Sequence, residues 1–144
     1  IIMMLWQSND IPIWNVEHEI IKYLLYAIFC LGWVLVFISS FITHHFELFG
    51  LRQCWLNFKD QPYTPIAFTQ KSFYKWIRHP IMLGFLLVIW ATPFMTFSQL
   101  IFASGMTLYI FIGIHFEEKG LVQSLGQDYL DYQKATKKLI PRIF

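Results

Sequence analysis

The chain has 144 residues, enough for at most one domain, and its formal net charge of +2 says little by itself; no nucleic-acid partner is expected. Apolar residues make up 56% of it and charged residues only 14%, against roughly 45–50% and about 25% in average soluble domains. Two cysteines without a C-x-x-C pattern, Cys30 and Cys54, indicate neither a disulfide framework nor a zinc site.

In chain order, Ile1-Ile2-Met3-Met4-Leu5-Trp6 followed by Gln7-Ser8-Asn9-Asp10 reads as the end of a transmembrane helix at its interfacial tryptophan. A signal peptide would carry a basic n-region and a small-residue cleavage site, and both are absent. The expectation is that residues 1–144 form a single domain truncated at its N-terminal side. The next apolar run, about 20–42, is long enough to cross a hydrocarbon core of about 30 Å, and Lys22 near its start can snorkel to the interface. Residues 43–79 contain no further span. Within them, Phe68 to Ile77 reads as a short amphipathic helix lying at the interface.

The apolar block from Pro80 to Phe116 is too long for one span and is broken at Ala91-Thr92-Pro93. Its pattern predicts two antiparallel helices, about 80–95 and 99–116, with Gly84, Gly105 and Gly113 as the small residues that let helices approach in lipid. The first is short for a crossing and calls for tilt or local bilayer thinning. In the tail, Leu121, Leu125, Tyr129 and Tyr132 repeat at helical spacing, as in a helix lying on a membrane surface. The expected fold class is therefore all-α: a multi-span helical integral membrane protein with a transmembrane hairpin and interfacial amphipathic helices.

Charge placement orients it. Of the eleven basic residues, all but Lys22 lie in segments 43–79 and 117–144. The positive-inside rule makes those segments cytoplasmic.

That orientation gathers His44, His45, Glu47, Arg52, Gln53, Arg78, His79, His115, Glu117 and Glu118 at one membrane surface. Three readings compete. The groups are interfacial anchors and caps; or the histidines ligate a metal or haem; or they form a pocket for a zwitterionic, cationic cofactor. The metal reading has no H-E-x-x-H or Cys/His pattern behind it, and adjacent His44 and His45 point to different faces of a helix. In the pocket reading Arg78, His79 and the helix start at Pro80 suit a carboxylate, while Glu117 or Glu118 suits an ammonium.

The pattern Arg78-His79-Pro80-x-x-x-Gly84, then Glu117-Glu118 with Leu121, Gly126, Tyr129, Tyr132 and Pro141, resembles the isoprenylcysteine carboxyl methyltransferase and phospholipid methyltransferase superfamily. His45-Phe46-Glu47-Leu48-Phe49-Gly50-Leu51-Arg52-Gln53, Pro62-Tyr63-Thr64-Pro65 and Trp90-Ala91-Thr92-Pro93 look more narrowly like the bacterial methanethiol S-methyltransferases, grouped with NnrU-like membrane proteins. The resemblance covers most of 14–144. It implies an integral-membrane enzyme of the bacterial inner membrane that binds S-adenosylmethionine on its cytoplasmic side without a Rossmann domain. Carried over residue by residue, the cofactor site would comprise Arg78, His79, Pro80, Gly84, Glu117 and Glu118. Met82 stands where the superfamily often has tyrosine, and it cannot donate a hydrogen bond.

The reaction implied is methyl transfer to a small thiol, methanethiol giving dimethyl sulfide, with no metal. A free thiol is largely protonated at neutral pH and needs a base or a positive field. His45, with Glu47 to orient it and Arg52 to stabilise the anion, is the expected catalytic set. Alternatives from the same resemblance are an isoprenylcysteine or phospholipid methyltransferase-like enzyme and a non-enzymatic NnrU-like accessory protein of nitrogen-oxide metabolism.

Overall fold

A computed structural model describes residues 11–42, 51–62 and 72–139. In chain order they form strand β1 (Pro12–Asn15), helix α1 (Glu19–Ile42), helix α2 (Leu51–Phe58), a 3-10 turn (Ser72–Lys75), helix α3 (Pro80–Trp90), strand β2 (Phe94–Thr96), helix α4 (Phe97–Leu125) and helix α5 (Gln127–Ala135). The architecture is mostly helical. Helices α1 and α4 are long and apolar enough to cross a membrane by length and composition. Large apolar side chains along both, among them Leu24, Phe37 and Phe41 on α1 and Leu108, Tyr109 and Phe116 on α4, are exposed. A core helix of a soluble protein would bury that surface; a helix against hydrocarbon presents it.

The all-α expectation needs correction, because β1 and β2 pair as a two-stranded antiparallel sheet. The cause lies in Pro93, which has no N–H and ends helical pairing for the residues around it. Helix α3 accordingly stops at Trp90, not at about 95, and the backbone of 94–96 pairs with β1. Thr96 faces Pro12, Met95 faces Trp14 and Phe94 faces Asn15, with an irregularity in register between Pro12 and Trp14. Around the sheet, Val16 N–H donates to the Pro93 carbonyl at 2.9 Å, Phe97 N–H to the Ile11 carbonyl at 2.9 Å, and the Trp14 indole to the Thr92 carbonyl at 3.1 Å.

Helix α3 is eleven residues long and rises about 16 Å, and after a tight turn at Ala91 the three-residue strand β2 follows it.

Helix α3 sits between the two long helices. On one side Gly84 faces Gly32 of α1 so closely that a Cβ on Gly84 would lie 2.8 Å from the Gly32 carbonyl oxygen and 2.7 Å from Val36 Cγ2. On the other side Met82, Leu83, Leu86 and Ile89 pack against Ile110 and Ile114 of α4 and against Leu139. Gly105 and Gly113 have nothing near the place of a Cβ, so they are not the close-approach residues expected of them. Gly32 is.

Helix α4 begins two residues before the expected 99, at a capping box: Thr96 Oγ1 accepts from Gln99 N–H at 3.3 Å, and Gln99 Oε1 accepts from Thr96 N–H at 2.9 Å. It also runs past 116 to Leu125 and ends at Gly126, whose φ of 61° ordinary residues avoid. The tail helix is therefore α5 alone, and Tyr129 and Tyr132 are buried inside the protein, not laid on a membrane. The interfacial helix expected over 68–77 lies partly outside the described residues; its described part is the 3-10 turn at Ser72–Lys75.

Candidate functional site

Proline at the first position of α3 presets the helical backbone angle and biases the preceding residue to an extended conformation. Residues 77–79 therefore enter the helix as a short extended segment. It pairs in parallel with the stretch after α5: Ile77 bridges Lys137, Arg78 N–H donates to the Lys137 carbonyl at 2.8 Å, and His79 N–H to the Lys138 carbonyl at 3.1 Å. Residues 136–139 thus form a strap across the start of α3. His79 occupies the N-cap position, but its ring makes no capping bond and points instead at α4.

There the four groups singled out by sequence meet. Arg78 Nε donates to Glu118 Oε1 at 2.7 Å, and its Nη1 donates to the carbonyls of Gln133, at 3.0 Å, and Thr136. The His79 ring lies between two carboxylates, Nε2 at 3.3 Å from Glu118 Oε1 and Nδ1 at 3.5 Å from Glu117 Oε2. Lys138 Nζ reaches Glu118 Oε2 at 3.2 Å. A buried carboxylate needs this company, because desolvation would otherwise drive it to the neutral form. Lys138, the Gln133 and Thr136 carbonyls and the strap itself escape sequence reading. The basic residues of the tail were visible, but not that one of them returns to the helix start.

Helix α5 holds the strap in place. The Tyr132 hydroxyl donates to the Tyr74 carbonyl at 2.6 Å, tying α5 to the turn before Arg78. Burial pushes the phenols of Tyr129 and Tyr132 up to about 12, helped at Tyr129 by the negative charge of Glu118. Beside the junction lies a cavity of about 320 Å³ lined by Arg78, Gln133, Thr136, Lys137 and Lys138.

The structure therefore brings together Arg78, His79, Glu117 and Glu118, with Pro80 buried beneath them. Gly84 stands one turn further along α3, against α1. His45 and Glu47 lie outside the described residues, and Arg52 falls on α2 with its side chain undescribed. His115 is exposed, its ring against Phe116.

Curated proteins carry matching sequences. The chain is 45% identical over 143 residues to a methanethiol S-methyltransferase of Mycobacterium tuberculosis (strain ATCC 25618 / H37Rv), covering 98% of this chain and 59% of that protein. It is 44% identical over 138 residues to a methanethiol S-methyltransferase of Crocosphaera subtropica (strain ATCC 51142 / BH68), covering 96% and 54%. A more distant relative is a Nurim of Pan troglodytes, 25% identical over 134 residues, covering 92% and 46%. No protein-family model and no solved structure matches the chain. The chain spans somewhat more than half the length of the methyltransferases it matches, and along nearly its own full length it is a homologue of proteins named methanethiol S-methyltransferase.

Proposed function

We propose that this protein is a multi-pass membrane enzyme that transfers a methyl group from S-adenosylmethionine to a small thiol, methanethiol yielding dimethyl sulfide. The observation that carries the reading is the junction of Arg78, His79, Glu117 and Glu118 at the start of α3, in a chain whose relatives are methyltransferases by name. A cofactor with an amino-acid head needs charges of both signs at fixed positions, and the junction supplies them from two helices and the strap. S-adenosylmethionine supplies an electrophilic sulfonium methyl that a thiolate displaces in line.

The residues of the chain then have two tasks. The junction binds and orients, which is most of what such a displacement needs. His45 takes the proton from the thiol, Glu47 holds its ring, and Arg52 stabilises the thiolate, so that the nucleophile is present near pH 7. The placement of basic residues supports a junction facing the cytoplasm, across the bacterial inner membrane.

The test is to supply membranes containing the full-length protein with methanethiol and methyl-labelled S-adenosylmethionine. Labelled dimethyl sulfide, lost in His45→Ala, is the expected result. Absence of product with every small thiol tried would overturn the reading.

A further inference from the structure

The junction is a chain of polar contacts that runs from Lys138 through Glu118 and the His79 ring to Glu117. Its interior and its ends differ sharply in exposure. The side chains of Glu118 and Arg78 are 11% and 9% exposed and that of His79 is 5% exposed, whereas Glu117 is 49% exposed and Lys138 38%. Each interior group already has partners within the protein. Glu118 has Arg78, His79 and Lys138; Arg78 has Glu118 and two carbonyls of the strap region. At one end Lys138 lines the cavity beside the junction, and at the other the Glu117 carboxylate is open to the outside.

We infer that Glu117 and Lys138 are the two residues that grip the amino-acid head of the methyl donor, Glu117 taking its ammonium and Lys138 its carboxylate, while Glu118 is a positioning residue. The inference rests on the methyl-donor reading above and divides the labour within that site. Arg78, the obvious carboxylate partner by sequence, is occupied in holding Glu118 and the strap. Glu118 fixes both ends of the chain, because it holds Lys138 directly and orients His79, which in turn lies against Glu117. A buried carboxylate with three cationic or imidazole partners has little left to offer a ligand, and displacing those partners would leave charges buried without company.

Ligands that lack the amino-acid head or only its carboxylate separate these roles. In the full-length protein, Glu117→Gln should weaken S-adenosylmethionine binding about tenfold to a hundredfold, the loss of one charge-assisted hydrogen bond. It should leave 5′-methylthioadenosine, which has no amino-acid head, within twofold. Lys138→Gln should weaken S-adenosylmethionine similarly and leave decarboxylated S-adenosylmethionine within twofold. Glu118→Gln should loosen both ends, weakening S-adenosylmethionine and also speeding amide exchange at residues 136–139 in the absence of any ligand, while Glu117→Gln leaves that exchange unchanged. If the wild-type protein binds S-adenosylmethionine and the Glu117 and Lys138 variants lose affinity equally for the truncated ligands, or lose none, the inference is overturned. A wild-type protein that binds no S-adenosylmethionine overturns the methyl-donor reading itself.

Discussion

A methyl group added at Gly84 and one added at Gly105 should move stability in opposite directions. Both glycines lie within helices, where alanine is intrinsically favoured by about 1 kcal/mol. At Gly105 nothing lies within 4 Å of the new Cβ, so that preference acts alone. At Gly84 the Cβ would lie 2.7 Å from Val36 Cγ2, 2.8 Å from the Gly32 carbonyl oxygen and 3.1 Å from Val36 N. Two of those three atoms are backbone and cannot rotate away, so α1 and α3 must separate by more than half an ångström to restore ordinary contact. Overpacking of this kind costs about 1–3 kcal/mol, and the upper part of the range applies where backbone meets backbone. After the propensity gain, Gly84→Ala should be destabilised by about 1–2 kcal/mol and Gly105→Ala stabilised by somewhat under about 1 kcal/mol. Thermal unfolding of the full-length protein in detergent, followed by tryptophan fluorescence, measures the gap. Equal stability, or Gly84→Ala the more stable of the two, would refute the packing argument and with it the placement of α3 on α1.

Arg78→Gln removes one partner of a nearly buried ion pair and two donors to the strap region, and should cost about 3–5 kcal/mol, seen as a lowered unfolding midpoint and faster amide exchange at 136–139. The raised phenols of Tyr129 and Tyr132 favour the protonated folded state, so their contribution is complete below about pH 10 and is lost as pH rises towards about 12. Tyr132→Phe should flatten that alkaline loss and cost about 1 kcal/mol at neutral pH through the missing bond to Tyr74, read from unfolding midpoints across pH 8–12. Gly126→Ala places a side chain at φ 61° and ψ −130° and should cost about 1–3 kcal/mol although space is open there, visible as a lowered melting temperature.

How much of this was legible beforehand follows the range of the forces involved. Apolar runs and the absence of charge between 23 and 42 and between 80 and 116 specify helices locally, because their side chains and their backbone need no distant partner. The helix start at Pro80 is likewise a local matter, since proline sets its own φ and restricts its neighbour. The two-residue clusters at 78–79 and 117–118 were visible as expensive polar groups beside apolar runs, and they do converge.

What the tertiary structure alone decided are the pairings between residues far apart in the chain. Whether 94–96 continues a helix or becomes a strand depends on Pro12–Asn15, some eighty residues away, supplying hydrogen-bond partners. Which glycine sits at a helix crossing depends on how α3 rolls against α1, and composition says nothing of that. Glu118 reads from sequence as a ligand contact no less than Glu117, because the two are adjacent and chemically identical. They part only when α4 turns one towards Arg78 and the returning strap and leaves the other at the surface. A helix advances about 100° per residue, so neighbours in sequence meet different surroundings, and only the packed fold says which of the two is buried.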